Sequence, residues 1–211
     1  GDIGTHAYNL ADFVTGLKLD QICAELTAFV PGRRLDDNVS MLLRYQGGAK
    51  GMLWASQVAP GHENGLKLRV YGTRGSIEWV QADPNVLIHS PLGDSRRLVT
   101  RGSAATGPAA ARMTRIPAGH PEGYLEGFAN IYREAALAIR AVDSGQPIGP
   151  EVMYPGLDDG VQRQGVVGDS DGLEIGLHHP QHLGIEDQLF KTGGQPAMHP
   201  ARAVDDEMRA A

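Results

Sequence analysis

The middle of the chain constrains it most. Between Val39 and Thr100, short apolar–polar alternations succeed one another with only turn residues between them. Val39 to Tyr45 and Gly51 to Val58 read as two strands joined by Gln46-Gly47-Gly48-Ala49-Lys50, whose glycine pair suits a hairpin turn. Leu66, Leu68 and Val70 alternate with Lys67, Arg69 and Tyr71, the period of a strand with one buried face. The Gly72-Thr73-Arg74-Gly75 turn leads into a further strand from Ser76 to Gln81, and Val86 to His89 and Arg97 to Thr100 extend the series. Ahead of it, Gln21 to Val30 is rich in β-formers and runs into a Pro31-Gly32 turn. Connections this short join antiparallel neighbours, since a parallel pair needs a crossover of about a dozen residues or more.

Helical periods flank the strands. Ile3, Ala7, Leu10 and Val14 recur at helical spacing from Asp2 to Thr15, with Asp2 a candidate N-cap and Gly16 a stop. Leu125, Phe128, Tyr132, Ala135, Ile139 and Val142 form one apolar stripe over Glu122 to Val142, with Pro121 at the first helical position and Ser144-Gly145 at the end. From Gly102 to Ala118 the sequence is alanine- and glycine-rich with Pro108 and Pro117, and reads as a surface excursion. The predicted fold is therefore α+β: one open, mostly antiparallel sheet covered by helices on one face. Residues 1–161 make up this domain. Residues 162–211 lose every period, carry Gly165, Gly168, Gly172 and Gly176, and read as a divergent, disordered tail in which only Ala203 to Ala211 suits a short helix.

A formal net charge of −6 argues against nucleic acid or an anionic membrane as the main partner, because both select basic surfaces. No apolar run is long enough to span a bilayer. Cys23, the single cysteine, excludes an internal disulfide and points to a reducing, cytoplasmic setting; its strand pattern suggests an inert core thiol. His178, His179 and His182 suggest a metal cluster, but Pro180 breaks the helix that would align them, so no metal site is expected. The turn at residues 72–75 joins two strands and is no phosphate loop. Trp54 and Trp79 read as core or sheet-face residues, and Arg33 and Arg34 as an exposed charged turn, with a cofactor phosphate or a partner subunit as the other reading.

The residues that suit chemistry are few. Asp2 and His6 lie one helical turn apart, on one face. A carboxylate beside an imidazole orients it and favours its protonated form, which fits a base taking a hydroxyl proton. The same spacing fits an N-cap and a partly buried histidine, and spacing alone does not choose. Further on, His120 opens a His-Pro-Glu-Gly-Tyr run at the start of the last helix, with Tyr124 one turn later. Ordinary helix initiation explains that run as well.

Five segments in order carry a resemblance. They are Gly1-Asp2-Ile3-Gly4-Thr5-His6-Ala7-Tyr8-Asn9-Leu10-Ala11, Asp37-Asn38-Val39, the stretch Gly65 to Gly72 with Gly75-Ser76-Ile77-Glu78-Trp79, Pro117 to Tyr124, and Tyr154 to Val161. Together they resemble the C-terminal domain of the Gfo/Idh/MocA oxidoreductases, NAD(P)-dependent enzymes of the sugar and cyclitol dehydrogenase type. The resemblance implies that His6 is the general base for a substrate hydroxyl and that Asp2 holds that hydroxyl or tunes His6. It implies substrate contacts from Asn9, where many relatives carry Asp, and from His120 and Tyr124. It also implies a homo-oligomer formed through the open sheet face.

Two features of that family are not found. No G-x-G-x-x-G stands at a strand-to-helix junction, and Lys18, Lys50, Lys67 and Lys191 lie in no Glu-Lys-Pro motif. The expectation is a substrate-binding half without its N-terminal Rossmann domain. NAD or NADP would belong to the intact parent, and this chain alone would bind neither cofactor and be inactive. The alternatives are part of an NAD-dependent glycosidase, or a non-enzymatic assembly or binding module.

Overall fold

In the computed structural model, which describes residues 2–157 and 160, helix α1 (Asp2–Thr15) leads into strands β1 (Leu19–Thr27), β2 (Asn38–Tyr45) and β3 (Lys50–Ser56). Strands β4 (Lys67–Gly72), β5 (Gly75–Val80), β6 (Val86–Pro91) and β7 (Arg97–Thr100) follow, and then helices α2 (Pro108–Met113) and α3 (Tyr124–Asp143). Every pairing is antiparallel between consecutive strands. The α+β class expected from the alternation is the observed one.

The strands form two ladders where one sheet was expected: β1-β2-β3 and β4-β5-β6-β7. Residues 57–66, between β3 and β4, contain Pro60, Gly61 and Gly65 and form a turn closed by the His62 N–H on the Ala59 carbonyl, with Gly61 at a φ of 86°. Helix α1 bridges the gap, packing mainly on β3 and also reaching β4.

The core sits under α1. On β2, Val39, Met41 and Leu43 alternate inward and meet Leu53 of β3 and Tyr8 of α1, while Ser40, Leu42 and Arg44 point out. Burying each such aliphatic side chain contributes about 1.5–3 kcal/mol, so this small cluster fixes how α1 lies on the first sheet. The opposite face of that sheet is open, with Leu42, Met52 and Trp54 exposed. Cys23 pairs with Leu42 on this face and is half-buried, not the core thiol expected from the strand pattern. Trp54 is likewise a sheet-face residue, and its indole N–H donates to Asn38 Oδ1 at 2.9 Å.

Two expectations change at the C-terminal end. The excursion at residues 102–118 contains α2, which Pro108 starts at its first turn and three alanines propagate. The long helix starts at Tyr124 with Gly123 as its N-cap, so Pro121 and Glu122 lie outside it. Its apolar stripe also faces outward: Leu125, Phe128, Tyr132, Ile139 and Val142 are exposed. The inward face carries Asn130 and Glu134 instead. Asn130 donates to the Met113 carbonyl at 2.8 Å, and Arg112 Nη2 lies 2.9 Å from both Glu134 carboxylate oxygens. Polar partners in the α2 segment, not the sheet, therefore set the roll of α3. The proposed tail, the histidines at 178, 179 and 182 and the short helix at 203–211 lie outside the described residues.

Candidate functional site

Helix α1 has two opposed stripes. At about 100° per residue, Gly4, Tyr8, Ala11 and Thr15 fall on one side, and Asp2, His6, Asn9 and Phe13 on the other. The first side packs: Gly4 is buried and Tyr8 is 2 % exposed. The second side looks out, because the Tyr8 anchor fixes the roll of the helix. Here His6 Nε2 lies 3.6 Å from Asp2 Oδ1, with the two side chains 72 % and 84 % exposed. Asp2 is the first residue of the helix itself, so its carboxylate is available to His6 and also sits favourably at the helix N-terminus. Asn9 is half-buried on the same stripe, one turn on. The spacing that left the pair open between a cap and a proton-transfer couple thus sets an imidazole beside a carboxylate on one face of the helix, with both side chains largely exposed to solvent.

His120 and Tyr124 have a different support. His120 is exposed in the irregular segment between α2 and α3, its N–H bonded to the Pro117 carbonyl at 3.2 Å. Tyr124 opens α3, also exposed, with its ring centroid 4.9 Å from that of Phe128. The Gly123 N–H donates to Glu126 at 2.9 Å, which ties down the helix start and holds that carboxyl below its ordinary range. The structure therefore brings Asp2, His6 and Asn9 together on α1, and places His120 and Tyr124 on a segment anchored to the second sheet.

That anchorage uses Asn85 and Arg101, to which the sequence assigns no role, and Glu122, which it places at the start of the long helix. Arg101 follows β7 directly. It donates from Nε to Asn85 Oδ1 (2.7 Å), from Nη1 to the Ile116 carbonyl (2.7 Å) and from Nη2 to the His120 carbonyl (2.6 Å). Its Nη1 also lies 2.9 Å from Glu122 Oε2, a carboxylate whose side chain is 7 % exposed. Glu122 accepts in turn from the backbone N–H groups of Arg115 and Ile116, and Asn85 pairs with the Glu122 backbone through both ends of its amide. A lone Arg after a short strand carries no sequence signal of such a role; only the folded backbone reveals it.

The remaining candidates are placed simply. Arg33 and Arg34 are exposed, and Arg33 pairs with Asp37 at 3.2 Å. Asp37 is buried and caps the turn after β1 by accepting from the N–H groups of Phe29 and Val30; these bonds, with Arg33, hold its carboxyl below the ordinary range. Trp79 donates to the Pro84 carbonyl at 3.2 Å. Residues 72–75 join β4 to β5 as a tight turn. Among the described residues no group of three or more metal-ligating side chains converges, and no helix is long and apolar enough to cross a membrane.

Comparison with known proteins gives this geometry its context. Residues 1–78 match the model of the GFO/IDH/MocA C-terminal domain. An uncharacterized oxidoreductase of Bacillus subtilis, YfiI, is 32% identical over 165 residues, covering 77% of this chain and 42% of that protein. An oxidoreductase structure from Sinorhizobium meliloti is 58% identical, with a TM-score of 0.76 over 79% of this chain and 47% of that one. An inositol dehydrogenase homolog from Azotobacter vinelandii, solved with NADH and myo-inositol, is 34% identical, with a TM-score of 0.72 over 77% of this chain and 44% of that one. The chain thus spans less than half the length of each of these relatives. Its residues 1–78 carry the match to the C-terminal domain of the GFO/IDH/MocA family, and over 77–79% of its length the chain is similar to these oxidoreductases.

Proposed function

We propose that this chain is the substrate-binding part of an NAD(P)-dependent oxidoreductase acting on a secondary hydroxyl of a sugar or cyclitol. The observation that carries this reading is the Asp2–His6 pair, 3.6 Å apart on the outward stripe of α1 and opposite its packed stripe. An outward pair fits a reaction whose second component arrives from outside this domain. The relative bound to NADH and myo-inositol supports the substrate class. A nicotinamide, when bound, would accept hydride from the carbinol carbon. This chain's part is to hold the hydroxyl between Asp2 and His6 and to take its proton at His6 Nε2, leaving a carbonyl. Asn9, His120 and Tyr124 would bind neighbouring hydroxyls. We place the protein in the cytoplasm on the strength of its single free thiol, and assign cofactor binding to a partner domain, with the 211-residue chain inactive alone.

The test uses the chain joined to the nucleotide-binding half of the Azotobacter relative. Myo-inositol-dependent NADH formation is expected, falling by about 10²–10⁴ in His6→Ala, the usual contribution of a general base. Unchanged turnover in that variant removes His6 from the chemistry.

A second reading rests on the open face of the first sheet, where Leu42, Met52 and Trp54 are exposed side by side. An apolar patch rimmed by Gln21, Glu25, Arg44 and Lys50 suits self-association, so we also propose a homo-oligomer through this face. The two readings are compatible, since the patch lies on the face of the sheet away from α1.

A further inference from the structure

We propose that Arg101 is a positioning residue for substrate: its guanidinium holds the backbone of residues 116–122 so that the His120 side chain is presented in one place. The inference rests on the reading of His120 as a substrate contact given above. Of four donor contacts from one side chain, three end on a segment with no regular secondary structure, at the carbonyls of Ile116 and His120 and the carboxylate of Glu122, and the fourth ends on Asn85 just before β6. Around this hub, Glu122 fixes the N–H groups of Arg115 and Ile116, and Asn85 fixes the Glu122 backbone.

A third support is steric. Gly102, at a φ of 72°, lets the chain after β7 lie against Ala118; a Cβ there would stand 3.3 Å from that of Ala118. The segment is thus pinned from both ends of the β6–β7 hairpin. Yet the side chain it displays, His120, is exposed and makes none of these bonds. Burying a guanidinium and a carboxylate to immobilise an exposed loop adds little to a core, and desolvating such a pair is costly. Fixing a polar side chain that must meet a ligand is what such an arrangement does well.

Arg is required because its planar fork reaches several acceptors at once; Lys would keep the charge but not the geometry. The experiment uses the 211-residue chain with Arg101→Gln, Arg101→Lys and the paired variant Arg101→Gln/Glu122→Gln, which avoids leaving a buried carboxylate alone. Three quantities are measured: amide hydrogen exchange at residues 116–123, myo-inositol affinity, and the melting temperature. Asp37→Asn serves as a control that lowers stability on the other sheet.

The expected result is faster exchange confined to residues 116–123 and affinity weakened about tenfold to hundredfold, as for a displaced contact group. Arg101→Lys should fall between wild type and Arg101→Gln, and Asp37→Asn should melt earlier without losing affinity. Unchanged exchange and affinity in both Gln variants overturn the proposal. So does an affinity loss that Asp37→Asn reproduces at equal melting temperature. If the wild-type chain does not bind myo-inositol, the functional reading fails for that ligand. Local exchange then shows whether Arg101 clamps the loop for structure alone, which would also overturn its role toward substrate.

Discussion

Gly75 should tolerate no side chain, and the cost can be worked from its surroundings. Its φ is 146°, and a Cβ placed on it would stand 2.5 Å from the Ser90 carbonyl oxygen and 2.9 Å from the Pro91 Cα. Both are backbone atoms of β6, hydrogen-bonded in register with β5, so they cannot swing aside as a side chain would. Gly16 offers the matched control: it too has a positive φ, 62°, but nothing lies within 4 Å of its Cβ position. Gly16→Ala should therefore cost only the left-handed penalty, about 1–2 kcal/mol. Gly75→Ala should add backbone strain of about 1–3 kcal/mol to an overpacking cost of about 1–3 kcal/mol, roughly 2–6 in all. Urea unfolding of the two variants, read at constant m-value, measures the difference. A Gly75→Ala loss no greater than that of Gly16→Ala would refute the steric argument, and with it the claim that the β4–β5 turn is pressed against β6.

Other outcomes follow from the same reading. Glu134 is 2 % exposed and accepts from Arg112 and from the Met153 N–H at 2.9 Å each, so Glu134→Ala should destabilise by about 3–5 kcal/mol, as when a buried pair loses one partner. Glu134→Gln, which keeps an acceptor for Met153, should lose less in the same thermal melts. The carboxyls of Asp37 and Glu134 are held below their ordinary values of 3.8 and 4.5 by the hydrogen bonds of Phe29 N–H and Arg112 respectively. Their unfolded forms take up protons first, so their contribution is complete above about pH 5 and is lost as pH falls below 4.5 and through the lowered folded-state values. Acid titration followed by circular dichroism should show Asp37→Asn less sensitive over that window than wild type. Met52→Lys, on the open sheet face, should leave a monomer where light scattering finds the wild-type chain associated; a monomeric wild type removes the self-association reading.

What could be read from the sequence divides along physical lines. Strands β2 to β4 were legible because one-sided burial imposes a period of two, and Gly47, Gly48 and Gly75 mark turns with positive φ between strands. The Asp2–His6 pair was legible because a single helical turn fixes its geometry locally. The division into two sheets was not, since it depends on the path of residues 57–66 and not on any strand. The roll of α3 misled for a related reason. Its stripe of Leu125, Phe128, Tyr132 and Ile139 announces an amphipathic helix, but amphipathicity does not say which side finds its partner within the domain. That was decided by Arg112, Arg115 and Met113, whose partners on α3 lie 14–22 residues further along. Arg101 belongs to the same class: a residue whose function is a set of distances to other segments.

The two supports of the candidate site meet in one element. Asp2 and His6 ride on α1, which Tyr8 fixes to the first sheet; His120 rides on a loop that Arg101 and Asn85 fix to the second. Among the described residues no strand pairing joins the sheets, and α1 packs on β3 of one and reaches β4 of the other. The helix that carries the proposed base is therefore also the tie that sets its distance from the proposed substrate contact. A substitution that loosens α1, such as Tyr8→Ala, should cost about 3–5 kcal/mol as a large-to-small change in a small core. It should also weaken myo-inositol binding beyond that loss, by letting the two supports drift. Tyr8→Phe, which fills the same space, should keep the affinity. If Tyr8→Ala binds as tightly as wild type at a temperature where both are folded, the two halves of the site do not act on one ligand, and His120 must be assigned elsewhere.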